Sequence, residues 1–347
     1  MSTKHLYIHA PLCSTICTFC DFKRELACNY DARAVINYLV SCLKKFKPKQ
    51  FKTIYIGGGT PNVFNNQDLD YFLSNIAPLL SEQYEFTIEC NPDLITEEQA
   101  KILRTNRVNR ISLGVQSTNN KILKILNRTH TIEDCVRVIK ILKTNGFKNI
   151  SVDFMYALPL MKNEDVVNAI KFAYDNQVQH VSFYGLDLKP GSILTKQKYQ
   201  IDPEKEADQL ETAISEFAKI KFERYEVSNW ALTKDYRSQH NLAYWLTKDW
   251  AAVGYGAHGL ENQIAYEYTD NILKPKKVSY KLSQEEYYQQ VLLMGLRLVD
   301  GVNINEQPYQ SAYEFYKDKL KHVSVKNGYL KCNNVNLLNN TLIDIIG

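Results

Sequence analysis

Cys13, Cys17 and Cys20 stand close together in the segment CSTICTFC. Three thiolates at that spacing mark a metal site, and two chemistries compete for them. They can ligate three irons of a cubane cluster and leave the fourth iron open, which makes it a reactive iron. They can instead hold zinc. Structural zinc takes four closed ligands, however, and although Cys28, His9 or Asp21 could supply the fourth, no spacing marks them for it. The cluster is the preferred reading.

Other residues that could do chemistry recur at strand ends. Gly57-Gly58-Gly59-Thr60-Pro61 allows close backbone approach, so that amide N–H groups can face a ligand, although a tight strand-to-helix turn explains the same run. Glu89, in TIECNPD, could accept hydrogen bonds from a ribose or an amino group, or could be a plain surface acid. Asp153 lies in the run VDFMYALP, where an unpaired carboxylate is costly to bury; it should face the barrel mouth with a partner, for which Arg128 is the candidate.

Elements must hold these groups in place. Short strand-like runs at His5 to His9, Thr53 to Ile56, Glu85 to Glu89, Arg110 to Val115, Ile150 to Met155 and His180 to Tyr184 alternate with helical stretches. The helices are expected at Asp68 to Leu80, Thr96 to Arg104, Ile132 to Asn145 and Glu164 to Asp175. The pattern predicts an α/β chain with a partial TIM-like (β/α)6 barrel over residues 1–220, its chemistry at the C-terminal strand ends. Residues 221–280 read as a connecting region. From 281 to 347 two helices, Gln284 to Leu298 and Tyr309 to Leu320, and a strand-rich tail with Asn327-Gly328 read as a small α+β domain.

The cysteine spacing and its place after the first strand resemble the radical S-adenosylmethionine (SAM) enzymes, whose signature is CxxxCxxC. The resemblance implies a 4Fe-4S cluster on Cys13, Cys17 and Cys20, with SAM chelating the open iron and yielding a 5′-deoxyadenosyl radical on reductive cleavage. It also places Tyr7, Phe19, Gly58, Gly59, Thr60, Glu89, Gln116, Arg128 and Asp153 on SAM-contacting positions. GGGTP is similar to the form found among coproporphyrinogen oxidase relatives, with Thr60 in place of the acidic residue usual elsewhere.

Tyr7-Ile-His9-Ala-Pro11-Leu-Cys13 and Cys20-Asp21-Phe22 narrow the resemblance to the HemW branch of those relatives, over essentially the whole chain. The oxidase branch carries another cysteine two positions after the third ligand; here that position is Phe22, which argues against decarboxylase activity. Leu12 and Ala157 are mild departures, from Phe and Gly. His240-Asn241-Leu-Ala-Tyr244-Trp245 matches the branch's HNxxYW motif. What the branch implies is a haem chaperone that passes haem to acceptor haemoproteins, membrane-associated ones among them. Imidazole is a common haem ligand and Tyr and Trp offer flat contact, so His240, Tyr244 and Trp245 are the haem candidates, with His258 and His9 competing. A histidine in an aromatic stretch is more often simply packed. The alternative function is a radical SAM oxidoreductase of coproporphyrinogen III dehydrogenase type, acting on a tetrapyrrole.

Composition bounds the rest. The 347 residues are 45% hydrophobic, and 42 basic against 38 acidic residues give only +4, so nucleic acid is not an expected partner. No apolar run reaches the ~18 residues of a membrane span, and the start lacks a signal-peptide core, so the cytoplasm is the expected location. The five cysteines outside the cluster segment stand singly, which is not a disulfide framework; Cys28 could be a redox-sensitive thiol.

Overall fold

The computed structural model describes residues 3–346. Six strands, β1 (His5–Ala10), β2 (Phe51–Gly58), β3 (Leu80–Cys90), β4 (Arg110–Gln116), β5 (Ile150–Tyr156) and β6 (His180–Gly185), pair in parallel in chain order. Helices Ala32–Leu43, Asn66–Ile76, Glu97–Thr105, Ile132–Thr144 and Asn163–Asp175 fall between them. All six strands lie where the sequence predicts them. The helix expected to reach Leu80 stops at Ile76, because Pro78 in the following turn disfavours helical backbone before it.

The strands are two-faced. Leu6, Ile8, Ile54, Ile56, Phe86, Ile88, Ile111, Leu113, Val152 and Phe154 are fully buried and pack with Leu39, Phe72, Leu103 and Val138 of the helices in the main core. The residues between them, among them Tyr7, Tyr55, Glu89, Ser112 and Asp153, are polar and turn the other way. Parallel strands buried on both faces usually read as continuous apolar runs. Here the polar set meets inside the barrel, where burial is tolerable because the groups hydrogen-bond one another. Tyr55 bonds Glu89, Ser112 bonds Asp153, and Ser151 bonds His180.

The sheet continues beyond the six strands. It takes in β7 (Glu223–Arg224), β8 (Asn229–Ala231), β9 (Trp250–Val253), β10 (His258–Glu261), β11 (Ile264–Thr269) and β12 (Lys276–Lys281). The twelve strands run in the order β12-β11-β10-β9-β1-β2-β3-β4-β5-β6-β8-β7. β9 pairs in parallel with β1, so part of the expected connecting region extends the barrel wall.

The C-terminal region has its own core, built on Val291, Leu292, Leu296, Ala312, Tyr316 and Leu330. Its helix Gln284–Gly295 opens on a capping box between Ser283 and Glu286. A small sheet joins β13 (Val302–Asn303), β14 (Val323–Lys326) and β15 (Tyr329–Cys332). Asn327 and Gly328 make the β14–β15 turn with φ of 53° and 77°, the conformation for which Asn-Gly is favoured. No helix among the described residues is long and apolar enough to cross a membrane.

Candidate cluster and cofactor site

The cysteine loop is tied at both sides. Leu12–Cys13 pairs with Glu25–Leu26, closing its base. Opposite, the Thr18 amide donates to Leu126 O at 3.1 Å, its hydroxyl to Ile125 O at 3.0 Å, and the Asn127 side chain to Ile16 O at 2.8 Å. Cys13, Cys17 and Cys20 thereby line one cavity of about 190 Å³ at the C-terminal ends of the strands. The Thr60 hydroxyl donates to Cys13 Sγ at 3.6 Å and Arg128 Nη1 to Cys17 Sγ at 3.3 Å. Burial pushes the Cys13 thiol up to about 11 and raises that of Cys20.

These thiols do not make a single-ion site. Among the described residues no three His, Cys, Asp or Glu side chains are grouped to hold one metal ion. Cys28 and Asp21 are exposed. His9 uses both ring nitrogens, one on Lys23 O at 2.7 Å and the other on the Tyr7 hydroxyl at 3.1 Å. Zinc would lack a fourth ligand, whereas three thiols around a cavity suit three irons of a cubane.

Tyr7, Phe19, Gly58, Gly59, Thr60, Glu89, Gln116, Arg128 and Asp153 all line the same cavity. Gly58 has a φ of +106°, and a Cβ there would run into the His9 ring. At Gly57 a Cβ would come within 2.8 Å of the Glu89 carboxyl. Both glycines are therefore required by the packing of this turn. Glu89 accepts from the Tyr55 hydroxyl at 2.8 Å and from the Gly58 amide at 3.3 Å. Burial, and then the charge of Asp153, push its carboxyl up to about 7.

Arg128 is not the partner of Asp153. Its guanidinium donates to Asn91 Oδ1 at 2.7 Å and Gly114 O at 2.9 Å as well as to Cys17. Asp153 instead takes the Ser112 hydroxyl, 3.0 Å from each carboxylate oxygen, and burial raises its pKa. A register of neighbouring strands sets this pairing, which a single sequence does not show. Three buried polar atoms of cavity residues, Arg24 Nε, Gln116 Oε1 and Arg128 Nε, have no partner. Such atoms cost about 1–3 kcal/mol each unless something completes them, so the cavity fits a polar ligand such as SAM.

Thr15, Arg24, Asn91, Ser112 and Tyr184 also line the cavity, with Tyr55 behind it, although no motif marks them. Tyr55, Ser112 and Tyr184 carried a signal in the polar half of the strand alternation. Arg24, which donates to Phe22 O at 2.9 Å and to Cys20 O, carried none.

The HNxxYW motif lies elsewhere. Its helix, Gln239–Trp245, closes the barrel floor at the N-terminal strand ends. Ser238 caps it, and the Glu85 carboxylate accepts the amides of Gln239 and His240, both at 3.0 Å. His240 is 1% exposed. Nδ1 pairs with the Thr53 hydroxyl and Nε2 with the Tyr244 hydroxyl, each at 2.8 Å. Burial holds its pKa well below the usual range. Tyr244 packs edge-on against Trp250, and Trp245 joins the C-terminal core under the Arg297 guanidinium. His258, by contrast, is exposed on β10 beside Glu267.

The geometry can be compared with known proteins. The Radical SAM superfamily model matches residues 7–173. "Heme chaperone HemW" of Lactococcus lactis is 34% identical over 89% of this chain and 86% of its own length. The chain belongs to the HemW family. A second HemW, from Bacillus subtilis, is 30% identical over 86% of this chain and 85% of its own. The HemW-family chain also shares its fold with the solved coproporphyrinogen III oxidase (HemN) of Escherichia coli, a radical SAM enzyme. Their TM-score is 0.82 at 16% identity, covering 99% of this chain and 90% of that one. In the HemW-family chain Phe22 lines the cavity mouth and is 65% exposed.

Proposed function

We propose that this HemW-family chain is a haem chaperone that carries a 4Fe-4S cluster and SAM and hands haem to acceptor proteins. The observation that carries it is the convergence of three cysteines and nine SAM-position residues on one cavity, in a chain whose relatives are named heme chaperones. Cys13, Cys17 and Cys20 would hold the cluster, which when bound supplies an open iron and a reducing electron to SAM. The chain's own residues do the positioning. Gly58 and Gly59 let the backbone approach, Glu89 and Asp153 offer carboxylate acceptors, and Arg128 offers a donor beside Cys17. Phe19 and Tyr7 exclude water from the same space.

Haem does not fit the HNxxYW motif as it stands. Neither ring nitrogen of His240 is free, and Tyr244 and Trp245 are occupied in packing. Ligation by His240 requires the helix to leave the barrel floor, so no step of haem transfer is routed through it. Phe22 in place of a further cysteine supports the carrier reading over the tetrapyrrole oxidoreductase. We further propose the functional division at about residues 220 and 280 and a cytoplasmic setting, supported by eight unpaired cysteines.

The test is anaerobic reconstitution with iron and sulfide, then haemin titration by absorption and mixing with a haem-free acceptor protein. Cluster absorption, a saturable Soret shift and haem transfer are expected. A cluster with no haem response would point to the oxidoreductase.

A further inference from the structure

We infer that His240 is a positioning residue of the SAM pocket, which it supports from beneath through Tyr55. The inference rests on the cluster and SAM reading above. It goes beyond that reading by giving the HNxxYW motif a task in the cofactor site.

The chain of contacts is short. The His240 ring lies 5.2 Å from the Tyr55 ring at 30° and 6.5 Å from the Tyr7 ring at 34°. Tyr55 is the only described side chain hydrogen-bonded to the Glu89 carboxylate, at 2.8 Å. Tyr7 forms part of the cavity wall and bonds His9, whose ring fills the space against Gly58. The imidazole thus forms the floor on which both tyrosines rest; Tyr7 lines the pocket itself, and Tyr55 reaches it through its hydrogen bond to Glu89.

His240 is itself held in one orientation. Thr53 and Tyr244 fix its two nitrogens, and Glu85 fixes the backbone of its helix turn. Thr53 and Tyr55 share β2, and Glu85 and Glu89 share β3. The same two strands therefore seat the helix at one end and present the pocket's Tyr55–Glu89 pair at the other. At the far end of the helix Trp245 packs half-buried against the C-terminal core, so the motif also ties that region to the cofactor pocket. Packed aromatic rings and fully engaged polar groups hold a carboxylate in place far better than a mobile floor would. A histidine with both nitrogens engaged is suited to support and unsuited to ligation.

The test uses full-length, anaerobically reconstituted protein. SAM Kd is measured by equilibrium dialysis, and the EPR spectrum of the reduced cluster is recorded with and without SAM. Wild type is compared with His240→Ala, His240→Gln, Tyr55→Phe and the His240→Ala/Tyr55→Phe double variant. His240→Ala and Tyr55→Phe should each weaken SAM about fivefold, and the double variant should be no worse than about the weaker single, as for residues acting through one contact. His240→Gln, which keeps two polar ends, should recover most of the affinity and the SAM-induced EPR change. Haemin titration of His240→Ala should match wild type.

An unchanged SAM Kd in a folded, cluster-loaded His240→Ala overturns the inference, as do strictly additive losses. Loss of the Soret response in that variant also overturns it, and returns His240 to the haem site. Should His240→Ala fail to fold, wild-type affinity in both His240→Gln and Tyr55→Phe overturns it equally. Wild type that loads a cluster and binds no SAM defeats the underlying reading instead, and this inference with it.

Discussion

Replacing Glu89 by Gln should remove one contribution by which the fold loses stability as pH rises from 5 to 8. Gln keeps an acceptor for the Tyr55 hydroxyl and removes the charge. The Glu89 carboxyl is raised from 4.5 to about 7, first by burial and then by Asp153. A raised acid stabilises the fold fully below the unfolded value near 4.5, and that contribution is lost as pH rises through about 7. At about 1.4 kcal/mol per unit the whole loss is roughly 3 kcal/mol, of which about 2 kcal/mol falls between pH 5 and 8. Urea unfolding without added SAM, at half-unit pH steps, measures it. The difference between Glu89→Gln and wild type should grow in favour of the variant by about 2 kcal/mol across that range. Profiles that stay parallel within about 0.5 kcal/mol would refute the assignment of a buried, proton-holding carboxyl to this pocket.

Cys17→Ser should abolish the broad visible absorption of the reconstituted cluster while far-UV circular dichroism shows the barrel intact; unchanged absorption would sink the cluster assignment. Ala157 has a φ of 59° and is buried, so Ala157→Gly relieves about 1–2 kcal/mol of left-handed strain while losing a methyl and adding chain entropy of similar size. Thermal unfolding should move little, against a clear drop for Ala173→Gly inside the helix Asn163–Asp175. Trp245→Ala should cost about 2 kcal/mol, since its ring is half-buried in the C-terminal core, and limited proteolysis should then cut first near residue 280.

What the sequence revealed and what it withheld divide along the range of the interactions. CxxxCxxC and the glycine run are local, and their chemistry is legible because a few neighbouring residues set the geometry. The six strands were legible for a similar reason: β1 through β6 each alternate within a short run. That alternation also marks a second face. Its polar half, Tyr55, Ser112 and Tyr184 among it, marks the lumen of the barrel, although each run first reads as apolar. The partner of Asp153 was not legible, because Ser112 reaches it only through the pairing of β4 with β5. The place of His240 was the least legible. It depends on Thr53 and Glu85, 187 and 155 residues away, and on β9 docking beside β1. A motif of histidine and aromatics reads as a ligand set from its types alone. Only tertiary contacts show that its nitrogens are already engaged, and engaged groups hold a neighbour in place better than they bind a new one.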